Sequence, residues 1–221
     1  MARLLIFDLD GTLFHTVGGI QIALNRVLSE YDREAFPIDF IKRIMGGGLR
    51  TLVQKLDAAS EKRLQDLAEV EKRFHEVYEE IYIQESELML GAYEFLKSWP
   101  EKLSIVSNKN EFYVRGLIEN SSLKEFKWVT IIGGDSLPTK KPDPLPLIKS
   151  MEEAGVGRDE AIMIGDGVPD VLAAKAAGIK SVAVDFGYTP VSELLQLGAN
   201  AKLSNYEMLP QALKSLSAKA S

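Results

Sequence analysis

Aspartates carry most of the chemistry this sequence can offer. Asp8 and Asp10 lie two residues apart in Phe7-Asp8-Leu9-Asp10-Gly11-Thr12-Leu13, directly after the apolar run Leu4-Leu5-Ile6-Phe7. If that run is a buried strand, both carboxylates emerge at the carboxyl edge of a sheet. A calcium loop of the EF-hand kind also begins with D-x-D, but it wants glycine at its sixth position and glutamate at its twelfth. Here the glycine is the fourth residue, Gly11, and the twelfth is Gly19. Taken alone, the motif also fits a polar turn leaving a strand.

A second stretch repeats the arrangement. Ile162-Met163-Ile164 runs into Gly165-Asp166-Gly167-Val168-Pro169-Asp170, which reads as a strand, a glycine, an acid and a helix start with proline in its first turn. Asp170 also suits a first-turn acid favoured by the helix dipole. Two strands that both end in carboxylates make a site for a hard cation. With no Cys and only His15 and His75 in the chain, the donors favour Mg²⁺ over zinc. Ser107-Asn108 follows Ile105-Val106, and Lys140-Lys141-Pro142-Asp143-Pro144 follows a glycine-rich turn after Ile131-Ile132. The first pair also fits a helix N-cap and the second an exposed turn.

Composition agrees with carboxylate and lysine chemistry. The chain has 221 residues, 26 Lys and Arg against 32 Asp and Glu, and a net charge of −6. That balance argues against a nucleic-acid partner, which needs a basic face. The missing cysteines exclude disulfides and thiolate nucleophiles. Asp8 and Asp10 interrupt the first apolar run before a signal-peptide core forms, and nothing approaches the roughly 18 apolar residues of a membrane span. The expectation is a soluble, cytoplasmic protein with no membrane partner, present as a monomer or homodimer.

The elements that must position these residues follow from hydrophobic patterning. Short apolar blocks at 4–7, 103–106, 129–132, 161–164 and 181–184 suit buried parallel strands. Helical patterns fall at 91–99, 110–120, 145–154, 169–177, 191–197 and 206–217. Alternation of this kind predicts βαβ crossovers and a doubly wound α/β core, with sites at the carboxyl ends of its strands. The alternation breaks once. No strand is expected between Leu13 and residue 103, and residues 14 to 90 read as helices. Ile20, Leu24, Val27 and Leu28 share one helical face, and Leu64, Leu67, Val70, Phe74, Val77 and Ile81 recur at intervals of three and four. The expected organisation is therefore a core of residues 1–14 and 91–221 with a helical domain, 15–90, inserted above the first strand.

Four motifs in this order, Asp8-Leu9-Asp10-Gly11-Thr12, Ser107-Asn108-Lys109, Lys141-Pro142 and Gly165-Asp166-Gly167 with Asp170, resemble the haloacid-dehalogenase-like superfamily. The likeness covers essentially the whole chain and is closest to phosphoglycolate-phosphatase-like members, which carry a helical cap after the first motif. The resemblance implies a Rossmann-like core and a Mg²⁺-dependent phosphatase acting on a small phosphorylated metabolite, phosphoglycolate foremost. It implies that Asp8 is the nucleophile that forms an aspartyl-phosphate and that Asp10 is the general acid and base. Ser107 and Asn108 would bind the phosphoryl group and Lys141 would neutralise it. Mg²⁺ would be held by Asp8, Asp166, Asp170 and the backbone carbonyl of Asp10.

Charge arithmetic is compatible with those roles. A carboxylate about 4 Å from a phosphate dianion is repelled by roughly 8 kcal/mol at an effective dielectric of about 20. The phosphate with Asp8 and Asp166 carries four negative charges, and Mg²⁺ with Lys141 returns three positive ones. Within the superfamily, the dehalogenases lack the second carboxylate, so Asp10 speaks against carbon–halogen chemistry. Thr12, where phosphoglucomutase-like members usually have valine, points to a phosphatase. A phosphomutase and a non-catalytic binding protein on the same scaffold are the alternatives.

Specificity is expected from the cap. Met45-Gly46-Gly47-Gly48-Leu49-Arg50 resembles the substrate-facing turn of related caps, where backbone N–H groups meet an anion, though a plain interhelical linker would read the same. Thr12, Asn108, Gly47 and Arg50 are thus the substrate-binding candidates, with Arg50 expected to pair with a polar group on the leaving portion. The relatives commonly continue with an acid and then Ser or Thr after the first motif, whereas this chain has Phe14-His15-Thr16. Hinges are expected near 14–17 and 88–91.

Overall fold

The structure, a computed structural model, describes residues 2–60, 63–64 and 66–218. Met1 and residues 219–221, the outer ends of the expected core segments, lie outside that range. Six strands form one parallel sheet: β1 (Leu4–Phe7), β4 (Lys102–Val106), β5 (Trp128–Ile132), β6 (Ala161–Gly165), β7 (Lys180–Val184) and β8 (Ala201–Leu203). Their order is β5-β4-β1-β6-β7-β8, and every pairing is parallel. From β1 the chain builds outward through β4 and β5, then returns to the other side of β1 for β6 to β8. Strand β1 is therefore the topological switch point, where a doubly wound sheet opens a crevice at its carboxyl edge.

Alternation sorts the strand residues onto two buried faces. Leu5, Phe7, Ile105, Ile162, Ile164, Val182 and Val184 belong to one apolar cluster, and Leu4, Ile6, Val106, Ile132, Ala161 and Met163 to another. Both faces are covered, which is why these strands read as continuous apolar blocks. Helices α5 (Ala92–Ser98), α6 (Glu111–Glu119) and α10 (Leu209–Ala218) pack on the first face. Helices α7 (Leu145–Ala154) and α8 (Val168–Ala177) pack on the second, with α9 (Val191–Leu197) beside α8.

Between β1 and β4 lie α1 (Val17–Glu30), α2 (Ile38–Ile44), α3 (Leu49–Ala59) and α4 (Leu67–Ile81). The predicted stripe of α4 faces inward at Val70, Phe74 and Val77, with Leu67 and Ile81 half-buried at its ends. Asp66 starts the helix by accepting from the N–H groups of Ala68 and Glu69. The expectation that no strand intervenes before residue 103 is corrected. Strand β2 (Phe14–His15) pairs antiparallel with β3 (Glu87–Leu88), in register Phe14 to Leu88. Each is two residues long, too short to show alternation, yet together they bring both crossings of the helical insertion side by side. Strand β8 is likewise a short addition that the apolar blocks did not announce. Among the described residues, no helix is long and apolar enough to cross a membrane.

Candidate active site

Register brings the acidic motifs together. Phe7 stands beside Ile105 on one side and Ile164 on the other, so β1, β4 and β6 end level. The ladder runs one step further, with the Asp8 N–H donating to Ile164 O and the Ser107 N–H to Ile132 O. Asp8, Ser107 and the Gly165-Asp166 pair thus leave the sheet at one edge. The first turn of α8 adds Asp170, whose Oδ2 accepts from Gly167 N–H at 2.9 Å. Carboxylate oxygens of Asp8, Asp166 and Asp170 all lie within 4.8 Å of one another, and all three residues are buried.

Lys141 closes the group from the loop after β5. Its ammonium donates to Asp8 Oδ1 at 2.8 Å, to Asp170 Oδ1 at 2.6 Å and to the Val106 carbonyl. Two glycines let these side chains approach. Gly11 has φ +79°, and a Cβ there would stand 2.3 Å from Asp166 Oδ2. A Cβ on Gly165 would meet Asp170 Oδ2 at the same 2.3 Å. Asp166 is further fixed by Tyr188, whose N–H donates to Oδ2 at 2.7 Å, and by Thr12 Oγ1, 3.4 Å from Oδ1.

Burial sets the electrostatics. It lifts the Asp8 carboxyl to about 7, and the negative charges of Asp170 and Asp10 add to the rise against the pull of Lys141. Asp166 is pushed well above the usual carboxylate range by burial and then by Asp8 and Asp170. Burial draws Lys141 down, but the facing Asp170 and Asp8 more than offset it, so the ammonium is held. Of the three buried carboxylates, Asp8 and Asp170 share one cation and Asp166 pairs with none among the described residues. The cluster is short of positive charge, and its donors are hard oxygens with no nitrogen or sulfur ligand among them. That set fits a divalent cation of the Mg²⁺ kind.

These residues line a cavity of ≈ 90 Å³ together with Asp10, Ser107, Asn108 and Lys109. Side chains of the helical insertion form its roof, among them Ile20, Met45, Leu49, Leu52, Phe74 and Tyr78.

Comparison with known proteins agrees with this architecture. A profile of the haloacid dehalogenase-like hydrolase family matches residues 5–184. The chain belongs to that family. It is 36% identical over 205 residues to a phosphoglycolate phosphatase of Pseudomonas fluorescens, covering 87% of this chain and 74% of that one. It is 34% identical over 227 residues to a phosphoglycolate phosphatase of Rhodospirillum rubrum, covering 95% and 90%. A crystal structure of a predicted phosphoglycolate phosphatase from Haemophilus somnus superposes with a TM-score of 0.88 at 23% identity, over 95% of this chain and 97% of that one. The resemblance to phosphoglycolate-phosphatase-like members, drawn from four motifs, therefore stands.

Within this haloacid-dehalogenase-like framework the remaining candidates fall in different places. Asp10 lies at the rim of the carboxylate cluster, with Oδ1 accepting from Thr16 Oγ1 at 2.7 Å and from Lys109 Nζ at 3.1 Å. Ser107 Oγ is buried and accepts from Lys109 N–H. Asn108 Nδ2 donates to Gly46 O and to Lys141 O, each at 2.8 Å, so its two donors tie the glycine turn to the lysine loop. Thr12 does not line the cavity and instead touches Asp166. The structure does not bring Gly47 or Arg50 to the cavity either, although Gly46 and Gly48 line it. Arg50 sits in the first turn of α3, and its 70% exposed side chain pairs with Glu71 of α4. His15 is exposed on β2, its ring 5.8 Å from that of Tyr188.

Among the cavity residues that the sequence does not mark as site candidates, Tyr188, His75 and Lys109 hold polar partners. The Tyr188 hydroxyl accepts from the Thr16 and Val17 N–H groups, satisfying the start of α1 while its own N–H holds Asp166. His75, drawn below its ordinary value by burial, meets the Tyr113 hydroxyl at 2.8 Å. Lys109 pairs with Asp10. Only Lys109 had a signal in the sequence, its place directly after Ser107-Asn108.

Proposed function

We propose that the chain is a Mg²⁺-dependent phosphomonoester hydrolase that works on a small phosphorylated metabolite through an aspartyl-phosphate. The observation that carries this reading is the convergence of Asp8, Asp166, Asp170 and Lys141 in one buried cluster, with Asp10 two residues beyond Asp8 at its rim. Mg²⁺ fits the carboxylates of Asp8, Asp166 and Asp170 and the backbone carbonyl of Asp10. When bound, it neutralises charge on the phosphoryl oxygens.

Asp8 supplies the nucleophile. Lys141 holds one of its carboxylate oxygens, and a carboxylate oxygen forms the bond to phosphorus as the bond to the leaving oxygen breaks. Asp10 gives its proton to that leaving oxygen. In the second step Asp10 takes a proton from water, which attacks phosphorus and restores the Asp8 carboxylate with release of inorganic phosphate. Splitting the hydrolysis this way gives two easier displacements, and positioning with electrostatics does most of the rest. Ser107 and Lys141 border the same space and suit contacts to the phosphoryl oxygens. The helical insertion, residues 15–90, acts as a cap over the core of 1–14 and 91–221 and keeps bulk water from the phospho-enzyme.

Phosphoglycolate is the first substrate to try, because relatives at 34–36% identity bear that name. The deciding experiment measures phosphate release from a panel of phosphometabolites with and without Mg²⁺. Release that depends on Mg²⁺ and disappears in Asp8→Asn is expected. Near-wild-type turnover by Asp8→Asn would remove the covalent mechanism.

A further inference from the structure

Lys109 has no part in the reaction described above, yet it lies against the acid that the reaction depends on. It leaves the carboxyl end of β4 one residue after Asn108, and its side chain is 6% exposed. The ammonium donates to Asp10 Oδ1 at 3.1 Å and Oδ2 at 3.4 Å. On its other side it sits 4.8 Å from the ring centre of Tyr78. A buried ammonium needs partners, and here a carboxylate and an aromatic face supply them. Burial draws the lysine toward neutrality, but Asp10 and Tyr78 more than offset it, so it remains a cation.

Tyr78 is itself held in place. It belongs to α4 of the helical insertion and is 1% exposed. Its ring stacks on Phe74 at 5.1 Å and meets Tyr113 of α6 edge-on at 5.0 Å. The insertion thus reaches Asp10 through two side chains, Tyr78 and then Lys109. At Asp10 itself, Oδ1 accepts from both Lys109 and Thr16, while among the described residues Oδ2 has only the longer contact with Lys109.

We propose that Lys109, braced by Tyr78, is the positioning residue for Asp10, anchoring Oδ1 so that Oδ2 carries the proton to the leaving oxygen. This rests on the reading of Asp10 as general acid. As the Asp8–phosphorus bond forms and the phosphorus–oxygen bond breaks, the proton passes from Oδ2 to the departing oxygen. The carboxylate left behind faces the ammonium. Because Tyr78 comes from the insertion, this placement requires insertion and core to be in contact.

The test compares two substrates by kcat/KM, which covers the steps through leaving-group departure. 4-Nitrophenyl phosphate releases a phenolate that needs no proton, whereas 2-phosphoglycolate releases an alkoxide that does. Asp10→Asn sets the scale, since a general acid contributes about 10²–10⁴-fold. Lys109→Met is expected to lower kcat/KM for 2-phosphoglycolate at least about tenfold more than for 4-nitrophenyl phosphate, within that range. Tyr78→Leu should show the same selectivity, and Tyr78→Phe, which keeps the ring, should restore the wild-type ratio of the two rates. Circular dichroism checks that each variant folds.

Equal losses on both substrates in Lys109→Met, with selective loss in Asp10→Asn, would overturn the positioning role. Equal losses in Asp10→Asn would remove the acid role itself, and wild-type protein inactive on both substrates would overturn both readings. If Lys109→Met does not fold, the tyrosine pair decides, and an identical ratio in Tyr78→Leu and Tyr78→Phe overturns the proposal.

Discussion

Replacing Lys141 with methionine removes one positive charge from among three buried carboxylates while keeping an unbranched side chain of similar length. The ammonium lies 2.8 Å from Asp8 Oδ1 and 2.6 Å from Asp170 Oδ1. At an effective dielectric of about 20, each pair is worth about 6 kcal/mol. The protein will not lose the sum, because carboxylates without a cation take up protons. Removing one partner of a buried pair costs about 3–5 kcal/mol in practice, and that is the expected loss for metal-free Lys141→Met at pH 8.

The loss must depend on pH. Asp8 already titrates at about 7, and Asp166 is raised as well. At pH 5.5 Asp8 is protonated in the folded protein, so the missing ammonium matters less there. Urea unfolding followed by circular dichroism, in chelator at pH 5.5 and 8.0, gives the comparison directly. Saturating Mg²⁺ should also recover part of the loss at pH 8, since a divalent cation among the same oxygens replaces the missing charge. Equal destabilisation at both pH values, unmoved by Mg²⁺, would mean that the lysine matters only for packing, and the electrostatic reasoning would fail.

Three further outcomes follow from the same geometry. In the metal-free wild type, Asp8 titrates at about 7 folded against 3.8 in the unfolded chain, so between these values the folded state holds a proton that the unfolded state lacks. Its stability should therefore fall as pH rises through that window, and the rise in Tm on adding Mg²⁺, read by scanning calorimetry, should be larger at pH 8 than at pH 5.5. Gly11→Ala puts a Cβ 2.3 Å from Asp166 Oδ2 at a φ of +79°, and should lose at least about 2 kcal/mol in urea unfolding and weaken Mg²⁺ binding by titration calorimetry. Arg50→Ala should leave the KM for phosphoglycolate unchanged, because the guanidinium points away from the cavity to Glu71. A raised KM would show that it turns inward on binding.

The parts of this fold that are legible in the sequence are those that physics writes as contiguous pattern. Strands β1, β4, β5, β6 and β7 read as apolar blocks because helices cover both sheet faces, and the acids that follow two of them read as a site because doubly wound sheets open there. Strands β2, β3 and β8 are two or three residues long and leave no alternation to detect. Tyr188 is an ordinary residue locally, and Lys109 is marked only by following Ser107-Asn108. Each acquires its part only when Tyr78, Asp10, Asp166 and the start of α1 meet it across the fold. Arg50 is the opposite case. Its place after a glycine turn suggested an anion contact, but the helix it helps to begin directs it to Glu71.

Charge decides the order in which this site can fill. Counted as ionised, Asp8, Asp10, Asp166 and Asp170 bring four negative charges, and Lys109 and Lys141 return two, a remainder of −2. A metal-free protein relieves that excess with protons, which is what the raised Asp8 and Asp166 express. A phosphate dianion arriving then would meet carboxylates with only lysines that are already paired. A divalent cation would cancel the remainder and displace those protons, leaving Asp8 in the ionised form that the proposed nucleophile needs. Under the proposed function, cation binding must therefore precede productive phosphate binding. Under the same proposal, an acidic chain of net charge −6 accepts an anionic substrate because its carboxylates are gathered where one divalent cation cancels their excess charge.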